Sequence, residues 1–121
     1  MITINNLQDN IFIVEAHEKI TAKDYENILI PFFDEQIKKY DKLNIVYHIN
    51  WDYDGFELKA MYDDAVFGIW YIDNIWKIAL VSDVTWINKS ISIFWFLFKN
   101  NNFRLFKWIE LKEAKKWILE K

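Results

Sequence analysis

The chain holds no cysteine, one proline and two glycines in 121 residues. Without cysteine there is no disulfide, no thiol nucleophile and no thiolate metal site. So little glycine and proline excludes a glycine-rich phosphate loop, solenoid punctuation and a disordered linker. The longest nearly apolar run, Ile91 to Phe98, is far short of the roughly 20 residues that span a bilayer. Met1 is not followed by a basic stretch leading into an apolar one, so no signal peptide is expected and the cytoplasm is the expected location. The net charge of −3 argues against nucleic acid as a partner.

What the chain does hold is aromatic. Phe, Trp and Tyr make up 19% of it, within an apolar fraction of 53%. Each large ring buries roughly 150–250 Å², and one domain of this length, residues 1–121, has limited interior. Some rings should therefore reach the surface. The charge is also uneven: Val84 to Ile109 contains Lys89, Lys99, Arg104 and Lys107 and no acidic residue.

Periodicity divides the chain into alternating elements. Ile2–Asn6 and Ile11–Ala16 read as short strands joined by a turn at Gln8-Asp9-Asn10. Thr21 and Asp24 have the spacing of a capping box and open a helix on which Tyr25, Ile28, Leu29, Phe32 and Tyr40 recur. Pro31 lies inside it and predicts a kink. Leu43–Ile49 reads as a strand, Glu57 to about Ile72 as a second helix, and Lys77–Ser82 as an apolar strand near the sheet centre. Trp86–Phe98 reads as a third helix, Phe103–Phe106 as a last strand and Leu111–Glu120 as a last helix. The order β-β-α-β-α-β-α-β-α specifies an α/β domain with crossover connections and a mixed, mostly parallel sheet.

Four stretches, in order, carry a family resemblance. Ile20-Thr21-Ala22-Lys23-Asp24-Tyr25-Glu26 followed by Ile30-Pro31 is similar to the Thr-x-x-Asp-Tyr and later Pro signature of SpoIIAA-like proteins. Asp54-Gly55-Phe56, Ala60 and Asp63-Asp64 resemble that family's Gly-aromatic segment and acidic helix. Ile78 to Asp83 with Trp86 looks like its central strand, and Phe106, Glu113-Ala114 and Trp117-Ile118 like its closing pattern. Glu18 departs from it, standing where many members have Gly. The resemblance implies a STAS-like α/β sandwich related to the lipid-binding CRAL-TRIO group, with membrane association and apolar-ligand binding proposed for the family.

Regulatory STAS proteins carry a phosphorylatable serine in an Asp-Ser-Ser-Gly turn. The comparable turn here reads Asp52-Tyr53-Asp54-Gly55, with Asp54 at the serine-like position, so the phosphorylation switch is expected to be absent. Asp54 itself reads as a helix-start aspartate favoured by the N-terminal dipole. The two histidines, His17 and His48, have no partner nearby in sequence and read as structural. Asp52, Asp54, Asp63 and Asp64 read as a solvated acidic face, their spacing fitting no calcium loop. No metal, no cofactor and no catalysis are expected.

The placement of the rings is the informative feature. A helix from Trp86 puts Trp86, Ile87, Ile91, Phe94, Leu97 and Phe98 on one face, leaving Phe96 among polar residues and Trp95 on the border. The second helix has Leu58, Met61, Tyr62, Ala65, Ile69 and Ile72 as its core face, with Phe67, Trp70 and Tyr71 projecting outward. Four accounts stay open: cover by neighbouring elements, a homodimer interface, a pocket for an apolar ligand, and insertion into a membrane surface aided by the basic segment. The leading expectation is a non-enzymatic binding domain for an apolar small molecule or lipid, associating reversibly with the inner membrane face. Phe67, Trp70, Tyr71, Trp95 and Phe96 are its contact residues, with Lys89 and Lys99 on the headgroups. The runner-up is a protein–protein regulator resembling the anti-sigma factor antagonists.

Overall fold

In the computed structural model, residues 1–50, 52–55, 57, 59, 63–64, 66, 70–85 and 103–120 are described. Five strands form one sheet in the order β1-β2-β3-β4-β5, that is Ile2–Gln8, Ile11–Ala16, Leu43–Ile49, Ile75–Val81 and Phe103–Phe106. β1 and β2 run antiparallel as a hairpin, and the other neighbours are parallel. The mixed, mostly parallel α/β sheet expected from the element order is what the chain forms.

Alternation along the strands gives the sheet two apolar faces. Phe12, Val14, Leu43, Ile45, Ile78 and Leu80 pack with Ile20 and with Tyr25, Leu29 and Phe33 of the first helical run, residues 22–36. Ile11, Ile13, Val46, Ala79, Val81 and Phe106 pack on the other side with Ala114 and Ile118 of the closing helix, Leu111–Leu119. β3 is buried at all seven positions because both of its faces are covered. Lys77 ties the closing helix down, its ammonium donating to the carbonyls of Trp117 and Glu120 at 3.1 and 2.7 Å, where the dipole favours a cation.

The first helical run starts on the expected capping box. Thr21 Oγ1 accepts from the Asp24 N–H, and Asp24 Oδ2 accepts from the Thr21 N–H at 2.8 Å. Burial by itself would raise the Asp24 carboxyl, but these bonds and the Met1 ammonium outweigh it and hold it below its ordinary value. An α turn over Ala22–Asp24 then widens into a π-helical segment, Tyr25–Leu29, before Ile30–Gln36 resumes the α-helix. Pro31 has no N–H to offer Asn27 four residues back, and widening the preceding turn accommodates its ring. The wider turn resets the helical phase: Tyr25, Leu29 and Phe33 become the buried stripe, while Ile28 is 39% exposed and Phe32 half-buried.

The loops after β2 and β3 are laced together by backbone bonds. The Asp54 N–H donates to the Glu18 carbonyl, the Ile20 N–H to Gly55 and the Glu57 N–H to Ile20, all at 2.8–2.9 Å. Glu18 has φ +53° and Gly55 φ +120°. Glu18 thus occupies a left-handed conformation that glycine adopts without cost.

Candidate functional site

Tyr47 points from β3 toward the first helical run, and Tyr25 opens the π-helical segment, so two fully or nearly fully buried phenols meet in the core. Their hydroxyl oxygens are 2.8 Å apart, and the Tyr25 hydroxyl donates to Oδ1 of Asp64 at 2.6 Å. Asp64 comes from the helical segment ahead of β4 and is half-buried. Asp64 and Tyr47 edge a largely enclosed cavity between the sheet and that layer. Val14 of β2, Ile45 and Tyr47 of β3, Ile75, Ile78 and Leu80 of β4 and Phe103 of β5 line it from below, Leu29 and Phe33 from above. Its empty space is about 430 Å³ counting the open side, and about 20 Å³ when measured at the centres of water molecules it can hold.

Burial governs the charges here. It pushes the Asp64 carboxyl up to about 6, and the Tyr25 hydrogen bond partly opposes that rise. Tyr25 is held well above the ordinary phenol range by burial, then by the adjacent Asp64 and Tyr47. Tyr47 is raised for the same first reason, with Asp64 next. Both phenols therefore stay neutral, and the one group that changes charge near neutrality is a carboxyl facing apolar walls.

A second polar cluster lies on the opposite face, at the carboxyl ends of the strands. In register across the sheet run Thr3, Glu15, His48, Val81 and Phe106. Glu15 Oε2 stands 3.7 Å from His17 Nε2 and 3.8 Å from His48 Nδ1, and accepts from Asn50 Nδ2 at 3.3 Å. His17 Nδ1 is 3.6 Å from Asp52 Oδ1. Burial lowers the His48 pKa, with Lys115 and His17 adding to the effect and Glu15 opposing it. Glu15 stands two residues before His17, and the parallel pairing of β2 and β3 brings His48 to the same carboxylate. Among the described residues no His, Asp and Glu group is arranged to hold a metal ion.

Several sequence-based expectations change place. Tyr71 does not project outward: it is 6% exposed, its ring 5.5 Å from that of Phe33 and its hydroxyl donating to Asp34. The 3-10 turn Ile72–Asn74 ends the helix just beyond it, where its ring closes over the first helical run. Asp64 is likewise no part of a solvated face, because its carboxyl reaches the tyrosine pair, whereas Asp63 stays beside the Lys59–Glu26 ion pair at 3.0 Å. Asp54 sits exposed in a turn, Glu57 is non-helical and the described helical residues begin at Lys59. Trp70 does project, at 63% exposure. Trp76 and Ile109 are further exposed apolar side chains. Phe67, Lys89, Trp95, Phe96 and Lys99 lie outside the described residues.

Only the sequence position of Asp64 hinted at its role. It precedes Ala65, at the edge of the apolar stripe, and the two tyrosines that meet it come from 17 and 39 positions away. Among the described residues no helix is long and apolar enough to cross a membrane.

Comparison with known proteins agrees with this architecture. No curated protein matches the chain. Among solved structures, an uncharacterized protein of the DUF3478 family with a SpoIIAA-like fold, from Shewanella loihica PV-4, superposes with a TM-score of 0.71. The two are 22% identical, and the match covers 98% of this chain and 92% of the other. A family model described as SpoIIAA-like matches residues 11–119, and the chain accordingly belongs to the SpoIIAA-like family.

Proposed function

We propose that this chain is a non-enzymatic binding domain for a small apolar or lipid-like guest, taken up between the sheet and the first helical run. The observation that carries the reading is the Asp64–Tyr25–Tyr47 network at the wall of an otherwise apolar cavity. Binding sites combine apolar lining with a few convergent polar groups and a perturbed titration in this way. The exposure of Trp70 supports a further step, reversible docking at the inner membrane face, with Phe67, Trp95 and Phe96 inserting and Lys89 and Lys99 meeting headgroups.

The test is titration with n-butanol followed by amide NMR. Saturable shifts centred on Leu29, Ile45 and Ile78, lost in the cavity-filling variant Ile78→Phe, are expected. Shifts that rise linearly or spread evenly over the molecule would sink the pocket reading. A protein–protein regulator without the phosphoserine is the second reading. It draws on Asp54, exposed on a pinned turn beside an open groove formed with Glu18, Lys19 and Thr21. Capture of a folded partner that Asp54→Arg abolishes, with no response to butanol, is the outcome that favours it.

A further inference from the structure

We infer that the Asp64 end of the cavity accepts a guest bearing a hydrogen-bond donor, a protonated primary amine or an alcohol, and turns carboxylates away. The inference rests on the pocket reading above and names the chemistry that pocket selects.

The direction of the hydrogen bonds supplies the argument. A phenol carries one proton. Tyr25 gives its proton to the Asp64 carboxylate, so the 2.8 Å contact between the hydroxyls uses the proton of Tyr47, which donates to Tyr25. Both protons are consumed inside the network. What it presents outward is lone pairs, on the second oxygen of Asp64 and on the Tyr47 hydroxyl. The other described lining residues, from Val14 to Phe103, are apolar. A guest must therefore bring its own proton to satisfy these acceptors in a setting where unpaired polar groups are costly.

Charge points the same way. A carboxylate guest would stand as a second anion beside Asp64 among apolar walls, a repulsion relieved only when one of the two takes up a proton. An ammonium brings the opposite charge and three donors. Size limits the guest: about 20 Å³ at water centres is room for about one water-sized group, which an ammonium or hydroxyl fills, so an attached alkyl chain enters only as the apolar walls part. The titratable groups facing Asp64 are Tyr25 and Tyr47, both neutral, so nothing on the described elements neutralises it in advance.

The experiment compares n-butylammonium, n-butanol and butanoate by NMR titration near neutral pH. Wild type is expected to bind the ammonium at least about ten-fold more tightly than butanoate, a modest difference for one buried charge contact. Asp64→Asn keeps an oxygen to accept from Tyr25 and should erase that preference, bringing the ammonium and butanoate affinities within about three-fold of each other. Acidification of wild type below the Asp64 titration should narrow the same gap, a readout that needs no variant. Butanoate binding wild type as tightly as the ammonium, or a gap unmoved by both Asn and acid, overturns the inference but leaves the pocket standing. Binding of none of the three overturns both.

Discussion

Tyr25 donates its hydroxyl proton to Oδ1 of Asp64 across 2.6 Å, and that one bond joins the first helical run to the segment ahead of β4. The same hydroxyl oxygen accepts from Tyr47 on β3, so three elements converge on a single atom. Tyr25→Phe removes it and strands a carboxylate and a phenol. The expected cost is about 1–3 kcal/mol, read as a lower urea midpoint at unchanged slope. The Tyr25 bond also holds Asp64 down, so its carboxyl should titrate higher in the variant, measured by carboxyl carbon shifts against pH. A titration that moved down or stayed put would show that Asp64 takes its support from elsewhere.

Stability against pH separates the two faces of the sheet. Asp64 titrates at about 6 in the folded chain against an ordinary 3.8, so between those values the folded state binds more protons than the unfolded one. Its contribution is complete below 3.8 and fades as pH rises through 6, a total on the order of 1–3 kcal/mol. His48 acts oppositely: its folded pKa lies below the ordinary 6.5, so its contribution is present above that value and is lost on acidification. The slopes oppose each other just below neutrality. Asp64→Asn should leave a curve that rises with pH, and His48→Gln one that falls, in urea titrations across the acid range. Identical slopes in both variants would mean that neither group is linked to folding as described.

Backbone handedness makes a paired prediction at the laced loops. Gly55 has φ +120° with open space where a side chain would stand, so Gly55→Ala meets no clash and isolates the conformational cost, about 1–3 kcal/mol. Glu18 already bears such strain at φ +53°, and Glu18→Gly relieves it. The glycine also loosens the unfolded chain, so the net change should be small, within about 1 kcal/mol, and stabilising. Calorimetry that found the alanine neutral at Gly55 would remove the strain argument for this turn.

Legibility followed range. Strand limits at Ile11–Ala16, Leu43–Ile49 and Phe103–Phe106, and the Thr21–Asp24 cap, depend on near neighbours, and the sequence reading placed each of them correctly. Pro31 signalled a distortion but not its form. A π-helical turn shifts the phase by about one residue relative to an α-helix, so Phe33 and not Phe32 became the core residue. Tyr71 was misplaced because a helical wheel knows nothing of the element packed above it, here Phe33 and Asp34. Asp64, and the contacts of His48 with Glu15 and of His17 with Asp52, depend on residues far apart in sequence. Those contacts exist only once β2 and β3 have paired and the helices have docked.

Trp70 is 63% exposed, with Trp76 at 51% and Trp108 at 41% also at the surface, and exposed indoles invite a test of membrane docking. Trp rings partition to the headgroup boundary, and a basic segment adds attraction to anionic lipid of about 1 kcal/mol per cation near the surface. The purified chain should float with anionic liposomes more than with neutral ones. Trp95→Ser/Phe96→Ser should reduce flotation most and Trp70→Ser in part, with added salt weakening all three. The partial effect is the discriminating one, because Trp70 is on the surface and its loss leaves the core intact. Wild type that stays at the bottom with both lipids removes membrane docking. A doubled mass under native conditions, reverting to monomer in Trp70→Ser, would then assign the exposed indole to a contact between two copies of the chain.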